Sequence, residues 1–297
     1  MTSLAARTWI CRDRHVTLGE RTLIMGIVNV TPDSFYDGGV SHDHHSAIAQ
    51  SRRFMEEGAD IIDVGGESSR PGAEPVSSAE EIRRVAPVIT ALREETHALI
   101  SIDTTKAEVA RVAMEAGAHI INDISALRHD PEMAEVAVSY GAGVVLTHMQ
   151  GTPRTMQDEP EYRDVVREVG DFLVERARAC VTAGIPEDRL VWDPGIGFGK
   201  TFAHNWTLLA QLPLLIGRGY PVLVGLSRKR FLGALCEREV DARLPASLAA
   251  MTCAILRGAA IIRVHDVKES CDAARVADRM KAEERKYGDL DPTASSP

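Results

Sequence analysis

Eight near-continuously apolar runs, each followed by a segment of helical spacing, predict an α/β protein closed into a single (β/α)8 TIM barrel with a short N-terminal β-hairpin. The runs occupy residues 23–30, 61–66, 99–104, 119–124, 143–148, 190–195, 221–227 and 260–265. Their apolar residues do not alternate with polar ones, as expected of parallel strands covered on both faces. Glycine at positions 58, 117, 141, 184 and 258 stands at the ends of helical segments, where a left-handed cap precedes the next strand.

The elements follow in chain order. Residues 8–11 and 15–18 form the hairpin, turning through Arg12-Asp13-Arg14. Between the second and third runs, Ile82, Val85, Ala86, Ile89 and Leu92 fall on one helical face, with Glu80, Glu81, Arg83 and Arg84 elsewhere. Eight such units in about 250 residues match a barrel. An open doubly wound sheet with two extra strands is the alternative, but no linker or composition shift divides the chain. The expected organisation is a hairpin plug over 1–22, one barrel domain over 23–285 and a polar, disordered tail over 286–297.

Composition narrows the function. With 34 basic and 43 acidic residues the net charge is −9, which argues against nucleic acid or an anionic membrane as partner. An anionic ligand would need a local positive field. No basic start with a long apolar run opens the chain and no stretch approaches 18 apolar residues, so neither signal peptide nor membrane span is expected. Five scattered cysteines without C-x-x-C spacing suit reduced packing residues of a cytoplasmic protein.

The stretch Leu190–Thr201 (LVWDPGIGFGKT) concentrates the chemistry. The P-loop pattern fails because Pro194 stands where the first glycine is needed, and the dinucleotide fingerprint fails because Gly199 comes one residue early. What remains is a carboxylate, Asp193, at a strand end before a glycine-rich loop. In a barrel all such ends converge on one face. There lie Asn29 with residues 31–39, then residues 65–72, Asp103, Asn122 with Asp123, His148, Asp193, residues 227–230, and Arg263 with His265. Polar groups at those places cost free energy unless paired, so they point to ligands. Asp103, Asn122 and Asp193 are acceptors suited to a neutral heterocycle rich in N–H donors. Arg70, Lys229, Arg263 and His265 suit a phosphate or diphosphate.

Other features have plainer readings. His42-Asp43-His44-His45 opens a helix and is expected to be a solvated surface rather than a metal site. Lys200 and Arg228 fit strand-end packing or surface pairing as well as substrate contact. Met251 and Cys253 share a helical face of core or interface type.

Five ordered segments carry a resemblance. Residues 25–35 (MGIVNVTPDSF), 63–72 (DVGGESSRPG), 193–200 (DPGIGFGK), 227–229 (SRK) and 263–265 (RVH) resemble motifs of the dihydropteroate synthases, and the likeness spans residues 23 to 280. It implies condensation of 6-hydroxymethyl-7,8-dihydropterin diphosphate with p-aminobenzoate to dihydropteroate and diphosphate. It implies that Asp103, Asn122, Asp193 and Lys229 hold the pterin. Ser69, Arg263 and His265 would contact the diphosphate, and Asn29 would bind its Mg2+. Phe35, Pro71 and Lys229 would form the aminobenzoate slot, with Asp33 and Arg70 joining as two loops close. It further implies a dissociative mechanism with Asp193, Lys229, Arg263 and His265 as the catalytic groups, a homodimer through the last helices, and sulfonamides as competitors of p-aminobenzoate. Thr147, Ser69, Arg230 and Ala246 depart from residues common at those places. Two rivals are a methyltetrahydrofolate-corrinoid methyltransferase, which does not require the Lys229, Arg263 and His265 cluster, and a non-catalytic pterin-binding paralogue.

Overall fold

The computed structural model describes residues 6–31, 40–68, 72–95 and 97–288. Two strands, β1 (Arg7–Cys11) and β2 (Arg14–Leu18), pair antiparallel with Arg7 opposite Leu18 and Cys11 opposite Arg14. Arg12 at the turn adopts the left-handed region (φ 59°), an unfavourable place for a side chain with a Cβ. Its guanidinium is held there by the carbonyls of Met114 and Ala118, at 2.8 and 2.9 Å.

The eight runs become β3 (Leu23–Asn29), β4 (Ile61–Gly65), β5 (Leu99–Asp103), β6 (Ile120–Asp123), β7 (Gly143–Thr147), β8 (Leu190–Asp193), β9 (Leu223–Gly225) and β10 (Ile261–Val264). All pair parallel, in the order β8-β7-β6-β5-β4-β3-β10-β9. A bridge between Trp192 and Val222 joins the two ends, with Trp192 N–H donating to the Pro221 carbonyl at 2.9 Å. The sheet is therefore a closed ring, and the open-sheet alternative is excluded. β9 begins two residues into its apolar run, after Pro221, which has no N–H to give to a ladder.

Helices cover the outside: α1 (Val40–Glu56), α2 (Ser78–Glu95), α3 (Ala107–Ala116), α4 (Met133–Tyr140), α5 (Val165–Thr182), α6 (Phe202–Ala210), α7 (Leu212–Ile216), α8 (Arg230–Cys236), α9 (Leu244–Leu256) and α10 (Val267–Gly288). The five expected capping glycines all have positive φ. α10 runs three residues past the expected domain end, and residues 289–297 lie outside the described residues. None of the helices among the described residues is long and apolar enough to cross a membrane.

The core has two parts. Between sheet and helices lies a large apolar cluster. Inside the ring, at the amino ends of the strands, a second cluster joins Leu23, Met25, Ile61, Leu99, Ile120, Val145, Val191, Leu223 and Ile261 to Trp9, Cys11 and Leu18 of the hairpin. The hairpin thus plugs the barrel floor. Gly143 permits the approach, since a Cβ there would sit 2.5 Å from Cys11 Sγ and 3.2 Å from the Trp9 ring. Trp9 Nε1–H donates to the Arg189 carbonyl at 2.9 Å, so the buried indole keeps its polar group satisfied.

Candidate active site

Side chains on a strand alternate between faces, so the apolar floor fixes which residues point inward above it. Ile61 leads to Asp63 and Gly65, Leu99 to Ser101 and Asp103, Ile120 to Asn122, Val191 to Asp193, and Ile261 to Arg263. Strand pairing sets these in rows. Asp63 stands beside Ser101, Gly65 beside Asp103, Asp103 beside Asn122, and Thr147 beside Asp193. Asp123, on the opposite face from Asn122, instead ties down its own turn by accepting from Ser125 N at 2.6 Å and Leu127 N at 3.1 Å.

A charged network fills the middle of the ring. Arg263 donates from Nε to Asp63 Oδ2 and from Nη2 to Asp103 Oδ2, both at 2.6 Å. Asn122 Nδ2 donates to the same Asp63 oxygen at 3.1 Å. Asp63 is fully buried, and neither its Oδ1 nor the nearby Ser101 hydroxyl has a partner among the described residues. Burial pushes the Asp103 carboxyl up to about 7, against the pull of Arg263. For Arg263 burial acts downward, yet the Asp63 and Asp103 carboxylates hold the guanidinium above its ordinary value.

The loop after β8 presents Asp193. Its Oδ1 accepts from Gly195 N at 2.7 Å, and its backbone carbonyl accepts from His148 N at 2.9 Å. Gly195 (φ +67°) must be glycine, because a Cβ would run into the His148 carbonyl oxygen. Asn205 of α6 takes the Gly197 N–H on its Oδ1 at 2.7 Å. Lys200, only 2% exposed, closes the loop from behind. Its Nζ donates to the Phe198 carbonyl at 2.9 Å, lies 3.3 Å from the His148 carbonyl, and meets His148 Nδ1 at 2.9 Å. Lys200 is thus a buried staple rather than a surface group. Burial lowers it to about 7 and lowers His148 too, raises Asp193, and places an uncharged imidazole beside the ammonium.

Lys229 caps the start of α8, and its ammonium lies 4.5 Å from the centre of the Phe198 ring. A Cβ on Gly197 would come within 3.3 Å of that ammonium, so glycine opens its path. Burial lowers Lys229 to about 8, opposed by Asp193. Arg228 before it is left-handed (φ 58°), held by Asp266 at 2.6 and 3.1 Å and by Ser247 Oγ on its N–H at 2.9 Å. Arg228 therefore shapes the turn that aims Lys229, and its charge is already paired. His265 meets Ser227 Oγ through Nδ1 at 3.0 Å and through its backbone N–H at 3.2 Å.

Asn29 ends β3 beside Gly65, and a Cβ on Gly65 would lie 3.8 Å from both Asn29 Oδ1 and Asp103 Oδ2. That missing Cβ leaves a small oxygen-lined space. Among the described residues no group of three His, Cys, Asp or Glu side chains is placed to hold a metal ion. His44 meets the Arg83 carbonyl at 3.0 Å in an exposed position. Cys11, Cys180 and Cys271 are buried and Cys236 and Cys253 exposed, all free. Met251 is in the core.

The ring thus brings together Asn29, Asp103, Asn122, Asp193, Lys229, Arg263 and His265. Asp33, Phe35, Ser69, Arg70 and Pro71 lie outside the described residues. Near the end of the described segment before residue 69, Glu67 Oε2 accepts from Val76 N at 2.9 Å and from Lys106 Nζ at 2.6 Å, and Lys106 also reaches buried Glu81 at 2.6 Å. Asp63 opens the 63–72 segment that carries the resemblance, but the sequence assigned it no role in the site. Its signal was a carboxylate inside Ile61-Ile62-Asp63-Val64, a run otherwise apolar and buried throughout, Asp63 included.

The pterin binding enzyme family matches residues 25–265. The dihydropteroate synthase of Escherichia coli K12 is 47% identical over 264 residues, covering 89% of this chain and 93% of that one. A structure of Xanthomonas albilineans dihydropteroate synthase with 4-aminobenzoic acid superposes with a TM-score of 0.88 at 49% identity, covering 94% of this chain and 99% of the other. A second from the same organism, in complex with 7,8-dihydropteroate, gives a TM-score of 0.83 at 46% identity over 93% of this chain and 99% of that one. On the strength of the closed barrel, its polar mouth and these likenesses, the chain belongs to the pterin binding enzymes as a dihydropteroate synthase.

Proposed function

We propose that the protein joins 6-hydroxymethyl-7,8-dihydropterin diphosphate to p-aminobenzoate, releasing diphosphate, at the mouth formed by Asp103, Asn122, Asp193, Lys229 and Arg263. The observation that carries this reading is the convergence, at one end of the closed ring, of three acceptors with two cations. Acceptors in a dry site suit the donor-rich edge of a pterin, and the cations suit the anion that departs.

In the proposed sequence Asp193 and Asp103 take the pterin N–H groups, and Asn122 adds an amide contact. The bond between the pterin methylene and the diphosphate oxygen breaks first, its electron pair leaving with the oxygen. Arg263 and His265 receive the growing negative charge through N–H donors, and Ser69 would add an O–H donor. Asp193 and Asp103 stabilise the positive charge left on the methylene and ring. The neutral aniline nitrogen then forms the new C–N bond and loses its proton to solvent, so no strong general base is required. Asn29 would supply one protein oxygen to Mg2+, whose chemistry when bound is to neutralise diphosphate charge. Phe35, Pro71, Asp33, Arg70 and Lys229 would complete the aminobenzoate slot, where sulfonamides would compete.

The assembly proposed is a cytoplasmic homodimer through the last helices. Val276 and Met280, one turn apart on α10, are exposed apolar groups on that surface. Mixing both substrates with the protein and Mg2+ should give dihydropteroate and diphosphate, and excess chelator should abolish most of the turnover. No product with both substrates and metal present would overturn the reading, and full turnover in chelator would remove Asn29 from its metal role.

A further inference from the structure

We infer that Asp63 is the positioning residue of the pterin site, fixing at once which way the Asn122 amide faces and where the Arg263 guanidinium rests. The inference rests on the reaction proposed above but concerns a residue that touches neither substrate. Asp63 sits one strand layer below the mouth, with no exposed surface, and one of its oxygens receives both Asn122 Nδ2 (3.1 Å) and Arg263 Nε (2.6 Å).

For Asn122 the consequence is one of valence. An amide has two N–H donors and a carbonyl, and a carboxylate below it can only accept. The NH2 end is therefore bound downward. One N–H and the carbonyl remain for a ligand, and a flipped amide would set carbonyl against carboxylate. For Arg263 the consequence is spatial. Five N–H donors fan from a planar fork. Asp63 takes Nε–H and Asp103 takes one Nη2–H, which leaves three N–H groups for an anion. The fork can meet a diphosphate without abandoning Asp63, whose burial would make an unpaired charge costly. Asp63 thus couples the pterin anchor to the anion anchor.

The test is a double-substitution cycle read by titration calorimetry with 6-hydroxymethyl-7,8-dihydropterin diphosphate and by steady-state kinetics. Asp63→Asn presents either a donor or an acceptor to its neighbours, so the Asn122 amide is no longer held. Affinity for the pterin diphosphate should fall about thirtyfold or more, while the KM for p-aminobenzoate stays within about threefold. In an Asn122→Ala background the same change at Asp63 should cost much less, because part of its effect passes through Asn122. A structural role alone would lower the active fraction for both substrates equally and leave the two losses multiplicative. Either of those results would overturn the inference. Should Asp63→Asn not fold, Asp63→Ser, smaller and still an acceptor, is read in the same way. Failure of the wild type to form dihydropteroate would instead strike the proposed reaction, so the two failures are distinct.

Discussion

The floor and the mouth of the barrel are made from the same strands, often only two residues apart. Ile61 faces the floor and Asp63 the middle, Val191 the floor and Asp193 the mouth, Ile261 the floor and Arg263 the middle. One pleat of strand therefore separates two kinds of interior. The floor is dry and apolar and is sealed by a hairpin that contributes Trp9, Cys11 and Leu18. Above it lie carboxylates, an amide and cations, with Asp63 Oδ1 left without a partner among the described residues. Burying apolar area stabilises the fold, whereas burying charge costs free energy unless every group is paired. The comparison teaches that stability and chemistry are assigned to opposite ends of each strand, as barrel enzymes in general arrange them.

If that division holds, an insult to the floor should cost stability and leave substrate affinity alone. Trp9→Ala removes a side chain that is 1% exposed, together with its bond to the Arg189 carbonyl. Loss of a buried aromatic of this size costs about 3–5 kcal/mol. Urea denaturation should report that loss, while KM values for both substrates change by less than about twofold. A large rise in KM at a temperature where the variant is folded would show that the two ends are coupled.

The converse insult belongs at the mouth. Asp193→Asn keeps size but replaces one carboxylate oxygen by an N–H donor, facing a ligand edge that also presents donors. Affinity for dihydropterin diphosphate should fall by about 2–3 kcal/mol, the scale of a lost charge-assisted hydrogen bond. The rate should fall further, since positive charge develops only as diphosphate leaves. Calorimetry and single-turnover kinetics separate the two losses. A variant that binds within about threefold of the wild type and reacts normally would remove Asp193 as the pterin anchor.

The ionisation of the mouth sharpens the contrast further. Burial raises Asp103 to about 7 and lowers Lys229 to about 8. If Asp103 acts as an anion and Lys229 as a cation, kcat/KM for the pterin substrate should rise as pH passes about 7 and decline above about 8. Each limb should approach tenfold per pH unit. A Lys229→Met variant that keeps the alkaline limb would assign it to another group.

These two ends were unequally legible in the sequence. Each apolar run marked a strand because both faces of a barrel strand are buried, and glycine marked the turns because few other residues accept positive φ. The polar strand ends at Asn29, Asp103, Asn122 and Asp193 were legible for the same reason, as interruptions in apolar runs. Tertiary pairing was not. Nothing local in Lys200 distinguishes a staple against His148 and the Phe198 carbonyl from a substrate group, and nothing local in Arg228 shows its pairing with Asp266. Arg263 was read as an anion contact, and only the closed ring brings it onto Asp63 and Asp103, residues 200 and 160 positions away.

Lys200 supplies the most discriminating test, because it is an ionisable group stored in an otherwise closed part of the mouth. Folding lowers its ammonium to about 7 through burial. Below that pH both folded and unfolded chains hold the proton, and Lys200 adds no slope to stability. Between about 7 and the unfolded value of about 10.4 the unfolded chain keeps a proton that the folded chain has lost. Stability from this group therefore rises with pH across that window, by at most about 1.4 kcal/mol per pH unit. Lys200→Met keeps much of the volume and removes the titration. The difference in unfolding free energy between wild type and variant, measured in urea from about pH 7 to about pH 10, should shift in favour of the wild type at that slope. Trp9→Ala, by contrast, should give an offset independent of pH, since the floor near it owes its stability to apolar contact. A flat difference for Lys200→Met would mean that the ammonium stays charged in the fold, sustained by the Phe198 and His148 carbonyls and by Asp193.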